Sequence, residues 1–197
     1  VACVLYLLRV LFCLVLLFEL SSCAVNTKSA EQTGFSMGSL VGIKLYGKNS
    51  EALENANLLA EVVKTDERIS KNYEGSDIYR VNSSGEHGET VSSETYDELR
   101  TVCDVYSDSH GKAAVLSGAL TELWGFDTDE FRLPSEDEIL SAKEKCGDDK
   151  LIFDDGKKVY IPDGAKLNLG SAGKGIALDE AVKRIDEINS QGGKITG

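Results

Sequence analysis

Residues 162–179 read Pro-Asp-Gly-Ala-Lys-Leu-Asn-Leu-Gly-Ser-Ala-Gly-Lys-Gly-Ile-Ala-Leu-Asp and gather the residues best suited to chemistry in this chain. Leu167 and Leu169 predict a short apolar strand, followed by a glycine-rich turn (Gly170, Gly173, Gly175) and a helix over Ala172–Asn189. Glycines let backbone approach a ligand closely, and the free N–H groups of a helix start favour negative charge. Lys174 adds a full positive charge at the same place, a combination that suits a phosphate or pyrophosphate. Many strand-to-helix turns also carry glycines for steric reasons alone. A P-loop is excluded, because Asn168 stands where its first glycine belongs and Gly175 replaces its hydroxyl residue. The dinucleotide fingerprint Gly-x-Gly-x-x-Gly is absent as well.

The elements that must position this turn follow a different kind of segment. Val1–Leu20 is apolar except for Arg9 and Glu19, and it ends in Leu20-Ser21-Ser22-Cys23. That ending resembles the lipobox of bacterial lipoprotein signal peptides, in which the cysteine is acylated and becomes the new N-terminus. The expectation is a signal peptide over 1–22, lipidation at Cys23, and a polar tether over 23–33. An uncleaved membrane helix is the alternative, since ~20 apolar residues span a bilayer. Taking 22 residues from 197 leaves 175, enough for one domain with its own core.

Arg9 and Glu19 cancel, so the remainder keeps the net charge of −12. Such acidity argues against nucleic acid as a partner and against electrostatic binding to anionic lipid. Membrane attachment would come from acyl chains instead. Cys103 and Cys146 are left once Cys3, Cys13 and Cys23 are accounted for, and their spacing does not decide whether they pair. Two histidines, His87 and His110, with no Cys-x-x-Cys argue against zinc.

Along the chain, Phe35–Tyr46 alternates as a strand interrupted at Gly38, Ser39 and Gly42. Ser50–Ile69 carries apolar residues at helical spacing with Ser50 as N-cap. A second helix is predicted over Ser93–Ser107, with Tyr96, Leu99, Val102, Cys103 and Tyr106 inward. Ser135 with Glu138 forms a capping box that opens a helix to about Lys145. Asp155-Gly156 between Leu151–Phe153 and Lys157–Ile161 is a hairpin signal. Helices and hairpins mixed in this order indicate an α+β domain, with mixed sheets and packed helices.

Four collinear blocks resemble the bacterial FAD:protein FMN transferases, also called the ApbE family. Met37-Gly38-Ser39 is similar to the family's opening Met-Gly-Thr. Ile69-Ser70 with Ser76-Asp77-Ile78-Tyr79-Arg80-Val81-Asn82 resembles its Ser-x-Tyr…Asp-Ser-x-Ile-x-Arg-Leu-Asn block. Ser109-His110-Gly111, Gly118-Ala119-Leu120 and Leu123-Trp124-Gly125-Phe126 are similar to Ser-Gly-Gly…Gly-Pro-Leu…Leu-Trp-Gly-Phe. Residues 167–175 resemble Leu-Asp-Leu-Gly-Gly-Ile-Ala-Lys-Gly, and Asp179 stands where the family has Asp.

The resemblance implies an ApbE-type domain over 34–197 and Mg²⁺-dependent chemistry on FAD, with FMN passed to a threonine hydroxyl of an acceptor flavoprotein and AMP released. The acceptor it implies is an FMN-binding subunit of a membrane redox complex. With Cys23 lipidated, the protein would sit on the extracytoplasmic or periplasmic side of a bacterial membrane. Carried over by position, Met37 lines the flavin site, Asn168 and Lys174 contact FAD near its pyrophosphate, and Ser171 contributes to the metal. Tyr73 is the nearest candidate for the family's flavin-contacting aromatic, although strict register puts Asn72 there. Where the family reads Ala-Phe-Asp-Pro-Thr at the flavin site, this chain reads Lys112-Ala113-Ala114-Val115-Leu116, without aromatic, carboxylate or threonine. Lys112, Ala113 and Ala114 remain the residues at those flavin-binding positions. Family domains also continue for on the order of a hundred residues past Gly192-Gly193 with metal-binding Asp segments, so the expectation is a domain lacking its C-terminal third and its complete metal site, because Mg²⁺ wants roughly six oxygens. Two alternatives stand beside the transferase: a flavin-binding or FAD-hydrolysing lipoprotein, and a non-catalytic remnant.

Overall fold

The computed structural model describes residues 27–126, 128 and 130–197. The expected signal peptide and Cys23 lie outside the described residues. The fold is α+β, as expected: two small antiparallel sheets with helices packed on them.

The first sheet is built on a hairpin of β1 (Lys28–Ser36) and β2 (Ser39–Gly47), to which β6 (Ile195–Thr196) adds at the far end of β2. The single strand expected over Phe35–Tyr46 is therefore split, because Met37 and Gly38 both take positive φ (50° and 67°) and reverse the chain. Positive φ at both central residues is the two-residue turn whose twist matches paired strands. β1 also takes in Lys28–Thr33, which the sequence assigned to the tether. Its polar side chains do not prevent this, because the strand lies at a sheet edge and β2 supplies its backbone partners.

The helix expected over Ser50–Ile69 is two: α1 (Ser50–Asn55) and α2 (Leu58–Ile69). Asn57 breaks them in the left-handed region (φ 42°), which asparagine tolerates better than most residues. The N-cap is Asn49, not Ser50, since its Oδ1 accepts from the N–H groups of Glu51 and Ala52. After α3 (Asp77–Ser84) and β3 (Glu89–Thr90) comes α4 (Ser93–Asp108), which matches its predicted span to a residue. Thr95 and Leu99 are its fully buried residues, while Tyr96, Val102 and Cys103 pack half-buried on the core. α5 (Gly118–Trp124) precedes α6 (Glu136–Lys143), and α6 carries the expected Ser135–Glu138 capping box. The predicted hairpin forms as β4 (Ile152–Phe153) and β5 (Lys158–Tyr160), and β5 lies centrally in the second sheet between β3 and β4. α7 (Gly173–Ser190) closes the order before β6.

Two buried clusters hold these parts together. The larger joins Ile69, Ile78, Val81, Leu99, Val115, Leu116, Val159, Leu167, Leu169 and Ile176 from α2, α3, α4, the second sheet and the glycine-rich segment. The smaller joins Leu45, Leu53, Leu58, Ala181 and Ile195 under the first sheet. Burial of such side chains contributes roughly 1.5–3 kcal/mol each. α2 and α7 reach both clusters and lie against each other. Cys103 and Cys146 are both free thiols, and no helix among the described residues is long and apolar enough to cross a membrane.

Candidate functional site

The expected strand at Leu167–Leu169 does not form. Ala165–Asn168 runs extended without a ladder, and a 3-10 turn (Leu169–Ser171) leads into α7. Its backbone groups are satisfied from three other directions. Asn168 N–H donates to Val115 O (2.8 Å), and Gly118 N–H donates to Lys166 O (2.8 Å). The side chain of Asn82, on α3, accepts from Leu167 N–H (2.7 Å) and donates to Leu167 O (2.9 Å). Leu167 is fully buried and Leu169 nearly so, which anchors the turn to the larger core.

The turn itself is shaped by Asn168. Its Oδ1 accepts from Gly170 N–H (2.9 Å) and its Nδ2 donates to Thr121 Oγ1 (3.1 Å) on α5, so the amide has one orientation. α7 then begins behind Ala172, with no side chain capping its first turn. Lys174, exposed in that first turn, has no carboxylate partner among the described residues. A cation at a helix start opposes the macrodipole, and a bound anion relieves both.

Opposite this helix start stands the Met37-Gly38 turn. Asp66 on α2 holds it, because its Oδ2 accepts from Met37 N–H (2.6 Å) and Ser36 Oγ–H (2.9 Å). Together these parts enclose a cleft of about 420 Å³ lined by Met37, Asp66, Asn72, Asn168, Gly173 and Lys174, among others. Three of the expected site residues, Met37, Asn168 and Lys174, thus meet across more than a hundred residues of sequence. Met37 and Lys174 also border an apolar groove of about 520 Å³ between β2 and α7.

The other expected residues are placed elsewhere. Tyr73 is 54% exposed and folds over Gly75, while its neighbour Asn72 lines the cleft in the register the family blocks require. Lys112 and Ala113 are exposed, Ala114 is half-buried, and none of the three borders the cleft. Their loop is turned away at its start, where His110 and Gly111 take positive φ and Ala113 N–H donates to Ser109 Oγ. At its end Asp148 pulls it inward, its carboxylate accepting from the N–H groups of Val115 (3.0 Å) and Leu116 (2.6 Å). Burial pushes the Asp148 carboxyl up from its ordinary range, against those two backbone donors. Ser171 is exposed at the end of the 3-10 turn.

The described side chains do not by themselves make up a Mg²⁺ site, which takes roughly six oxygens. Among the described residues no group of three or more His, Cys, Asp or Glu side chains converges as a metal site, and the Asp66 carboxylate in the cleft has its Oδ2 taken up by Ser36 and Met37. Asp66 lines the cleft, while Asn82 holds the segment on either side of Leu167 and Asp148 the one before Ser117; periodicity and motif spacing singled out none of the three. Only the place of Asn82 in a family block hinted at it.

A family model described as the ApbE family matches residues 37–196. Among solved structures, the ApbE protein of Thermotoga maritima superposes with a TM-score of 0.77 at 27% identity, over 86% of this chain and 55% of that one. The flavinyl transferase ApbE of Pseudomonas stutzeri, in its apo form, gives 0.70 at 23% identity over 82% and 54%. The flavin transferase ApbE of Vibrio cholerae gives 0.67 at 23% over 84% and 55%. The chain therefore spans about 55% of the length of the solved chains it matches. No curated protein matches it.

Proposed function

The chain belongs to the ApbE family, and on that premise we propose that it serves an FAD:protein FMN transferase, with residues 34–197 supplying the flavin-phosphate side of the domain. One observation carries this reading: Met37, Asn168 and Lys174 converge on one cleft at an uncapped helix start. The Lys174 ammonium and the first-turn N–H groups of α7 would neutralise the pyrophosphate of FAD, and Met37 would lie against the flavin end. Preorganised donors aimed at developing phosphate charge are the protein's main contribution to phosphoryl transfer.

In the transfer, the acceptor threonine Oγ attacks the FMN phosphorus, the bond between the two phosphates breaks, and AMP leaves with the bridging oxygen. The threonine proton passes to solvent as the new ester forms. The Mg²⁺ dependence implied by the family needs carboxylate ligands beyond Ser171. The proposed acceptor is a flavoprotein subunit of a membrane redox complex. Lipidation at Cys23 would hold the enzyme beside it, on the extracytoplasmic or periplasmic face of a bacterial membrane.

Incubation of the protein with FAD, Mg²⁺ and an acceptor flavoprotein tests the proposal. Covalent flavin fluorescence on the acceptor with matching AMP release is the expected result. AMP and FMN released without acceptor would make the protein an FAD hydrolase. Absence of FAD binding by the folded protein would leave the non-catalytic alternative.

A further inference from the structure

We propose that Asn82 is a positioning residue for phosphate binding, acting through Leu167 on the turn that carries Asn168 and Lys174. This inference rests on the FAD reading of that turn. Its basis is a pairing normally made by a neighbouring β-strand. The segment Ala165–Asn168 has no strand beside it on the α3 side, and the Asn82 amide takes that place, accepting from Leu167 N–H and donating to Leu167 O at 2.7 and 2.9 Å.

A third contact comes from the segment itself, as Lys166 Nζ donates to Asn82 O (2.7 Å). The opposite edge is held by Val115 O and Gly118 N–H. Pinned from both edges, Leu167 sets the direction from which Asn168 enters the turn and where its Oδ1 meets Gly170 N–H. Asparagine is the residue type that fits. Its amide presents a donor and an acceptor side by side, as a strand backbone does, whereas aspartate offers only acceptors. Asn82 does not border the cleft, so its influence on a ligand is indirect.

The test compares Asn82→Ala and Asn82→Asp with the unaltered full chain, titrating FAD and, separately, riboflavin, which has no phosphate. Hydrogen exchange of residues 167–175 is followed in each protein. Asn82→Ala is expected to weaken FAD binding about tenfold, the scale of a lost bidentate contact, while riboflavin affinity stays within about twofold. Asn82→Asp keeps the acceptor toward Leu167 N–H and is expected to fall between the two. Exchange at residues 167–175 should accelerate in both variants while β1 and β2 stay as protected as before.

Equal weakening of FAD and riboflavin, or unchanged FAD affinity, would overturn the phosphate-positioning role. If the unaltered chain binds no FAD, the FAD reading falls, and hydrogen exchange decides the positioning alone: unchanged exchange at 167–175 overturns it. If Asn82→Ala fails to fold, the isosteric Asn82→Asp carries the comparison.

Discussion

Lys174 is the residue on which the phosphate reading rests most directly. It is a cation without a carboxylate partner among the described residues, set where a helix start already favours anions. Lys174→Ala is expected to weaken FAD binding about ten- to a hundredfold, the range for one charge-assisted hydrogen bond, with little change in thermal stability. Titration by flavin fluorescence quenching measures it, and an unchanged dissociation constant would remove Lys174 from the site. A second comparison separates neighbours. Asn72 borders the cleft and Tyr73 is turned out of it, so Asn72→Ala should weaken FAD binding while Tyr73→Ala leaves it within about twofold. The reverse order would restore the aromatic contact expected from sequence.

At the scale of elements, α3 is tied to α4 by a buried carboxylate. Asp77 Oδ2 accepts from Ser92 N–H (3.1 Å) and Ser92 Oγ–H (2.6 Å), and Arg80 Nη2 donates to Oδ1 (2.6 Å). Burial pushes the Asp77 carboxyl up, but the hydrogen bonds from Ser92, Thr95 and Arg80 outweigh it and hold the group below its usual range. A carboxyl lowered by folding contributes its stability fully above the unfolded value of about 3.9 and loses it as pH falls through the folded value. Asp77→Asn is therefore expected to cost about 1–3 kcal/mol at neutral pH. The gap between variant and original should close as pH falls below the unfolded value of about 3.9 and on through the lowered folded one. Urea unfolding across that range gives the answer, and a gap that stays constant would mean that Asp77 contributes nothing by its charge.

For the whole molecule, the joint between core and site is the buried Leu167. It belongs to the larger cluster and precedes Asn168 directly. Leu167→Ala is expected to cost about 2–5 kcal/mol, as in other fully buried leucines, and to weaken FAD binding together with stability. Denaturation midpoints with parallel flavin titrations measure both. The proposed lipid attachment to a membrane is tested at Cys23. In a bacterial host, Cys23→Ala is expected to move the protein from the membrane pellet to the soluble fraction, and a variant that still sediments with membranes would end the lipobox reading.

The sequence by itself determined the local features. The α4 helix, the capping box at Ser135 and Glu138, the Asp155-Gly156 hairpin and the glycine-rich entry to α7 all appear where expected, because each rests on periodicity or turn chemistry within a few residues. The family blocks likewise marked Met37, Asn168 and Lys174. Tertiary structure decided how those residues meet. Leu167 looked like the start of a strand, yet its partner is a side chain 85 residues away. The Lys112–Leu116 loop stood at a flavin position by register, yet the buried Asp148 draws its end into the core. Asn72 rather than Tyr73 borders the cleft for a similar reason, since the cleft wall is set by packing between α2, the Met37 turn and α7. Backbone groups must be satisfied by whichever donor or acceptor the fold brings near, and local spacing carries no record of that choice.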